Sequence, residues 1–297
     1  MTTISDLSIG LAKTVENAGS VVVRIDARRR FPASGFVWSE DGLIVTANHV
    51  VRRDTKIDVG LADGSQIAAQ LVGRDPSTDL ALLKVEANGL TTLDEAVEEN
   101  VQVGNLVLAL GRPGGSVQAT LGIVSALGSA WRTRRGGQAD RYIQTDVLMY
   151  PGFSGGPLVT AGGSLIGLNS SALMQGVSIT LPTTTLRRVV NALQEHGRVR
   201  RGYLGVSTQI VRLQEDMRQE LGQKSGLLIV AVEPSSPADE AGLTIGDTIV
   251  KLGSTTIRRH DDLLAELMGA ELDTKMPVTI VRGGELQTLN VKIGEQS

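Results

Sequence analysis

The sequence predicts a mainly β protein: a long region of short strands followed by a smaller α+β module. Three observations carry this reading. From Val21 to about Pro182, apolar runs of four to seven residues alternate with Gly-rich breaks. From Thr183 the texture turns helical, and a mixed pattern of strands and helices follows Tyr203. Aromatic residues make up only 3% while Gly reaches 35 residues, so the cores must be built from Val, Leu, Ile and Ala, and the chain must turn often. The 297 residues suit two or three domains.

The N-terminal stretch "MTTISDLSIGLAKTVENAGS" places Leu7, Leu11, Val15 and Ala18 at helical spacing, with Ser5 or Asp6 as N-cap candidates. This predicts a short amphipathic helix over 1–20 that docks on a body or on a neighbouring subunit. The strand runs then come in order: "SVVVRI", "SGFVWS", "GLIVTA", "TKIDVGL", "DLALLKV", "NLVLAL", "LGIVSAL", "RYIQTDV", "PLVT", "SLIGLN" and "VSITLP". Regular short strands with Gly-rich turns fit an all-β barrel or sandwich. The acidic stretch "TTLDEAVEEN" joins two halves of similar character. Next, "TTTLRRVVNALQEHG" reads as a helix with caps offered by Thr183 to Thr185, an apolar face of Leu186, Val189, Val190 and Leu193, and a stop at Gly197. A basic linker leads to the last module, which carries a helical "DDLLAELM" and the closing strands "PVTIVRGG" and "TLNVKIG".

Composition excludes several functions. The chain has no cysteine, so disulfides, thiol nucleophiles and thiolate metal sites are ruled out. A net charge of −3 speaks against a general nucleic-acid binder. No stretch approaches the ~18 consecutive apolar residues of a membrane span. The N-terminus lacks the basic start and apolar run of a signal peptide, so the expected location is cytoplasmic as given, and periplasmic or otherwise extracytoplasmic if a leader was removed.

"MYPGFSGGPLVT" sets one hydroxyl, Ser154, among glycines. A serine hydroxyl is a poor nucleophile at neutral pH; it needs a base, and the base needs an acceptor on its other nitrogen. Of three histidines, His196 reads as solvated and His260 as a cap or groove residue beside its helix. His49, in "TANHVV", follows an apolar strand. Asp79 directly precedes the strand "LALLKV", whereas Asp75 precedes Pro76 and reads as a turn residue, and Asp146 as a loop organiser. The order His49, Asp79, Ser154 is that of the chymotrypsin-type triad.

"TANHVV", "DPSTDLALLKV", "YIQTD" and "PGFSGGPL" resemble the motifs of the HtrA/Deg family of serine proteases, and "RGYLGV" and "SSPADEAGLTIGDTIVKLG" resemble the signatures of its PDZ domain. The resemblance runs from Val21 to Gly294. It implies two chymotrypsin-like six-stranded β-barrels over 21–182, a helical and basic linker over 183–202, and a PDZ domain over 203–297. It further implies Ser154 as nucleophile, His49 as general base, Asp79 as the group orienting His49, and the amides of Gly152 and Ser154 as the oxyanion hole. No metal or cofactor is implied. The positions matching the primary specificity pocket are Met149, Ala172 and Leu173; none is acidic, which predicts cleavage after small or medium aliphatic residues, although all three also suit core packing. In the PDZ domain, Tyr203, Leu204, Gly205 and Val206 match the carboxylate-binding loop, with Leu264 and Leu267 as groove or core residues.

The expected function is ATP-independent hydrolysis of unfolded or misfolded proteins in protein quality control, with C-terminal peptides bound at the PDZ domain. A homotrimer is implied, with the N-terminal helix as a candidate contact. The family usually has Asn where this chain has Phe153, and often Asn at Tyr150. Phe153 is therefore expected to lie exposed at the cleft, and a proteolytically silent or resting PDZ scaffold is the rival reading. "RIDARRRFPASG" is too short for a long regulatory loop. The arginine clusters Arg187, Arg188, Arg198, Arg200, Arg201 and Arg132, Arg134, Arg135, Arg141 are expected at the surface, facing water or acidic partners.

Overall fold

The computed structural model describes residues 3–29, 31–133 and 135–295, so the expectation for Arg134 lies outside the described residues. The chain divides into one compact unit ending at Val199 and a second beginning at Arg200.

The first unit opens with α1 (Ile4–Gly19), whose cap is Thr3, not Ser5 or Asp6. Asp6 is the third helical residue, and its carboxylate accepts the Thr3 amide while the Thr3 hydroxyl accepts the Asp6 amide. Ala18 is buried, and Leu11 and Val15 pack beside it on Leu108, Leu110 and Val159. The first-turn residues Ile4 and Leu7 stay exposed.

Strands β1 (Val22–Asp26), β2 (Ala33–Val37), β3 (Leu43–Ala47), β4 (Ile57–Gly60), β5 (Gln66–Asp75) and β6 (Leu80–Val85) close a barrel in the order β1-β2-β3-β6-β5-β4. After the acidic connection come β7 (Leu106–Gly111), β8 (Gln118–Gly128), the two-residue strands β9 (Trp131–Arg132) and β10 (Gln138–Ala139), β11 (Tyr142–Thr145), β12 (Pro157–Thr160), β13 (Leu165–Ser170) and β14 (Ser178–Pro182). Six of these close the second barrel, β11-β14-β13-β12-β7-β8. All barrel pairings are antiparallel. Every apolar run read from the sequence becomes a barrel strand. The one barrel strand without such a run is β5, whose exposed Gln66 and Gln70 alternate with less exposed neighbours.

Helix α2 (Thr183–His196) stops at Gly197 and buries Leu186, Val189, Val190 and Leu193, as its spacing predicts. Each such side chain contributes roughly 1.5–3 kcal/mol. These four join the same core cluster as first-barrel residues, so α2 is part of the body of the first unit and not a free spacer. The threonine caps do not form: the helix is capped at Pro182 without a side-chain bond. Thr185 instead exchanges hydrogen bonds with Asp140, and Thr184 donates to Glu98. Arg187 pairs with Glu95 and Arg188 with Asp140, which makes these arginines surface ties within the unit.

The second unit contains β15 (Gly202–Tyr203), β16 (Val206–Arg212), α3 (Glu215–Leu221), β17 (Ser225–Val232), α4 (Pro237–Glu240), β18 (Thr248–Leu252), β19 (Thr255–Thr256), α5 (His260–Gly269), β20 (Lys275–Arg282), β21 (Glu285–Lys292) and β22 (Gly294–Glu295). Its main sheet runs β16-β17-β18-β20-β21, which leaves β16 as an edge strand. Leu227, Ile229, Ile249, Val278 and Ile280 form its core with Leu263 and Leu267 of α5.

Arg112 is a buried charge of the first unit. Its guanidinium donates to the carbonyls of Gly19, Val22 and Gly115, and burial lowers its pKa below arginine's usual value. Removing the donors leaves carbonyls unpaired inside the protein. Arg112→Met is expected to lower the stability of this unit by about 2–4 kcal/mol. Urea unfolding of the full chain checks this, and a loss under about 0.5 kcal/mol would show the carbonyls to be water-satisfied.

Candidate active site

His49 sits in the 3-10 turn Asn48–Val50 that follows β3, and Asp79 immediately precedes β6, its paired neighbour. Both therefore emerge at one end of the first barrel. The turn leading into β6 is built by Asp75, which is buried and accepts the hydroxyls and amides of Ser77 and Thr78. Asp75 is thus the turn residue that its sequence context predicted. Asp79 itself takes a left-handed backbone with φ 60, a conformation that aspartate tolerates better than most residues.

That backbone brings Asp79 onto His49 at two points. Asp79 Oδ2 lies 2.8 Å from His49 Nδ1, and Oδ1 accepts the His49 amide at 2.8 Å. The Asp79 carbonyl also accepts the Asn48 amide at 2.9 Å. A third donor comes from the second barrel: the Ser170 hydroxyl, at the end of β13, donates to Oδ2 at 2.5 Å. With Nδ1 held by the carboxylate, Nε2 of His49 is the nitrogen left for chemistry.

Ser154 lies in the β11–β12 connection of the second barrel and shares a cavity of about 370 Å³ with His49, Met149, Tyr150 and Gly152. Its Oγ is 2.9 Å from the Ser171 hydroxyl and 3.4 Å from the Ser171 amide. The hydroxyl of the nucleophile candidate is therefore engaged with Ser171.

The loop before Ser154 is held as a turn. The Phe153 amide donates to the Tyr150 carbonyl at 3.0 Å, with Pro151 and Gly152 at the corner. Gly152 adopts φ 93 there, which a proline–glycine type II turn requires. Among the described residues, neither the Gly152 nor the Ser154 amide has an acceptor within the protein. The flanking groups are pinned from the first barrel: Ser34 donates its hydroxyl to the Gly152 carbonyl (2.6 Å) and its amide to the Ser154 carbonyl (3.3 Å). The Arg112 amide in turn donates to the Ser34 hydroxyl. Gly155 approaches so closely that a Cβ there would lie 2.1 Å from the Ser34 carbonyl oxygen.

Phe153 corrects an expectation. It is 0% exposed and packs in the second-barrel core with Val107, Ile143 and Leu158. The Tyr150 ring meets it edge-on at 5.7 Å. The turn at Pro151–Gly152 sends this side chain into the barrel, where an apolar ring is favoured, instead of into the cleft. The specificity set also divides. Met149 lines the cavity of Ser154, but Ala172 and Leu173 line a separate space of about 130 Å³ beside Asp79 and Arg135, and Leu173 is buried in the core. Asp146 organises its loop by accepting the Ile123 amide.

A second groove lies in the PDZ-like unit, about 300 Å³, lined by Tyr203, Leu204, Gly205, Val206, Leu264 and Leu267. The carbonyls of Leu204 and Gly205 are tied back to the Ala238 and Glu233 amides. His260, the first residue of α5, places Nε2 2.9 Å from the Thr208 carbonyl of β16, so it faces the groove as one of its two sequence readings had it. The Tyr203 hydroxyl bonds Glu233, and that bond, with lesser contributions from burial and from the Glu233 charge, raises the phenol's pKa.

The sequence does not single out Ser34, Ser170 or Ser171, because a serine in or beside a strand carries no local signal. For Ser170 the expected consequence is specific. Ser170→Ala removes one donor from the Asp79 carboxylate and should slow labelling of Ser154 by a fluorophosphonate by about tenfold. Labelling kinetics check this; an unchanged rate would make Ser170 a packing residue.

Comparison with known proteins agrees with this geometry. Residues 33–168 match the trypsin-like peptidase domain and residues 202–293 the PDZ domain. A probable periplasmic serine endoprotease, DegP-like, of Pseudomonas fulva is 41% identical over 270 residues, covering 88% of this chain and 55% of the relative. The counterpart from Rhizobium meliloti is 36% identical and covers 90% of this chain and 54% of its own. The chain thus spans about half the length of the curated relatives it matches. Among solved structures, the HtrA-type protease AlgW with a decapeptide superposes with a TM-score of 0.80 at 28% identity, over 97% of this chain and 99% of that one. AlgW with a tripeptide gives 0.77 at 31% identity, over 97% of both chains. Taken with the two barrels and the paired His49 and Asp79 facing Ser154, these matches show that the chain belongs to the HtrA family of trypsin-like serine endoproteases, with one PDZ domain.

Proposed function

We propose that this chain is an ATP-independent serine endopeptidase that hydrolyses unfolded or misfolded proteins in protein quality control. One observation carries it most directly. His49, already oriented by Asp79, opens into the same cavity as Ser154, beside two backbone amides with no acceptor of their own.

In this reading Ser154 Oγ turns from Ser171 and attacks the substrate carbonyl, while His49 Nε2 takes its proton. The carbonyl oxygen becomes an oxyanion facing the Gly152 and Ser154 amides; preset donors of this kind contribute about 3–4 kcal/mol each. Asp79 steadies the imidazolium through Nδ1. As the tetrahedral species collapses, the C–N bond breaks and His49 returns the proton to the leaving amine. Water, deprotonated by His49, then cleaves the acyl–Ser154 ester.

Met149 gives the acyl-side residue an apolar wall with no carboxylate, which supports cleavage after small or medium aliphatic residues. The edge strand β16 and the 203–206 loop support capture of peptide C-termini by strand addition. AlgW, crystallised with peptides, offers a parallel for peptide binding. The relatives' names support an extracytoplasmic setting, and the exposed Ile4 and Leu7 of α1 support a homotrimer contact.

The Ser154–Ser171 bond favours one second reading, a resting protein that acts as a PDZ scaffold until activated. Casein digestion separates the two. Wild type should degrade casein, with or without an added C-terminal peptide, and Ser154→Ala should not, while both bind the peptide. Absence of digestion by wild type under either condition, with peptide binding intact, selects the scaffold. Ser34→Ala should lower kcat about tenfold with little change in KM, because it loosens the oxyanion loop and not the substrate cleft; steady-state kinetics on a fluorogenic peptide check the split.

A further inference from the structure

The cavity that holds His49 and Ser154 has a cationic, aromatic end not used by the mechanism above. Arg28 and Phe31 line it. Phe31 is 72% exposed and takes φ 53. Its carbonyl accepts the Arg28 Nε hydrogen at 2.5 Å, which folds the β1–β2 connection so that guanidinium and ring border one space.

Arg28 is not alone there. The Arg52 amide donates to the Ala27 carbonyl at 3.0 Å, which lays the segment after His49 against the β1–β2 connection. Arg28's pKa is lowered first by burial and then by the charge of Arg52, so the two guanidinium groups sense each other. The nearby carboxylates are occupied: Asp26 pairs with Arg24, and Asp54 with Arg74. Among the described residues, neither Arg28 nor Arg52 has a carboxylate partner. A chain of net charge −3 thus sets one partly desolvated and unbalanced cation, Arg28, in the wall of the cavity of His49 and Ser154, with the like charge of Arg52 near it.

Like charges held together without a counter-ion are relieved by an anion that fits between them. A guanidinium fork matches a carboxylate in shape. The position within the cleft follows from the other walls. The space lined by Ala172 and Leu173 shares His49 with the cavity of Ser154. On the proteolytic reading, with Met149 against the acyl-side residue and the chain before it in that space, the chain leaving with the amine would take the end lined by Phe31 and Arg28.

We propose that Arg28, reinforced by Arg52, selects substrates with an aspartate or glutamate side chain on the leaving-group side of the scissile bond, with Phe31 packing against the stem of that side chain. This deepens the proteolytic reading and rests on it.

The test uses the full chain and matched internally quenched peptides that carry Glu, Gln or Lys at successive positions on both sides of the scissile bond. Their C-termini are amidated, so the 203–206 loop has no terminal carboxylate to hold. For wild type, the Glu peptide should exceed its Gln counterpart by about tenfold in kcat/KM at low salt, equivalent to ~1.4 kcal/mol. The effect should be confined to the leaving-group side, with Lys below Gln. High salt should shrink the ratio, and Arg28→Gln and the double variant R28Q/R52Q should bring it close to one. Because the ratio is internal to each enzyme, a loss of overall activity does not mimic the result.

A ratio near one in wild type, a preference on the acyl side only, or a ratio that survives Arg28→Gln overturns the proposal. Binding of the same peptides to Ser154→Ala, followed by fluorescence anisotropy, separates this outcome from failure of the proteolytic reading. Tighter binding of Glu peptides that no enzyme cleaves would keep the anion site and remove the protease. Equal binding of Glu and Gln peptides would remove the site.

Discussion

The carboxylate of Asp79 is the point on which the site depends. It accepts from the His49 ring, from the His49 amide and from the Ser170 hydroxyl. The first two donors come from the first barrel and the third from the second. One side chain therefore fixes the orientation of the base and also joins the two barrels where the reaction would occur. The cost is paid in the backbone, which holds a non-glycine residue in the left-handed region. That conformation persists because Asp75 organises the preceding turn and the Asn48 amide caps the Asp79 carbonyl.

Ser34 performs the reciprocal service. It belongs to the first barrel, yet its hydroxyl and amide hold the two carbonyls that flank Phe153 in the second. With those carbonyls and the Phe153 amide engaged, the Gly152 and Ser154 amides are the groups the loop leaves over. Phe153 acts from below. Its ring, buried against Tyr150 and the barrel core, resists rotation of the peptides beside it. The aromatic residue that departs from the family pattern is thus an anchor of the loop before Ser154, buried and not exposed at the cleft. Arg112 extends the same network to the end of α1, since its amide holds Ser34 and its guanidinium holds the Gly19 carbonyl.

Much of this was legible in the sequence, for identifiable reasons. The barrel strands announced themselves as apolar runs because both faces of most of them are buried; β3 and most of β6 are buried throughout. Strand β5 escaped because its first half meets water at alternate residues and its apolar residues come only in the short runs Ile67–Ala69 and Leu71–Val72, broken by Gln70. The triad candidates were readable because His49, Asp79 and Ser154 each sit at the end of a strand or in a Gly-rich turn. Cap positions were misread where a threonine had a better partner elsewhere, as with Thr185 and Asp140. Phe153 was misread because sequence shows that a side chain follows a turn, but not to which face the turn sends it. Ser34 and Ser170 were invisible because their roles exist only once two barrels, distant in sequence, have met.

The resting position of Ser154 follows from the same geometry. Its hydroxyl has a partner in Ser171, the residue that follows Ser170 at the end of β13. This serine pair thus touches both sides of the candidate site: Ser170 holds Asp79, and Ser171 holds the Ser154 hydroxyl. In the proteolytic reading, an extended substrate lying along this stretch would engage the backbone beside both serines. It can compete for the Ser171 contacts while Ser170, buried beneath, keeps its bond to Asp79. Substrate binding would then free the nucleophile without disturbing the base. A buried serine thus holds Asp79 in a preset pair with His49, while an exposed one holds the Ser154 hydroxyl by a contact that a chain in the cleft would reach.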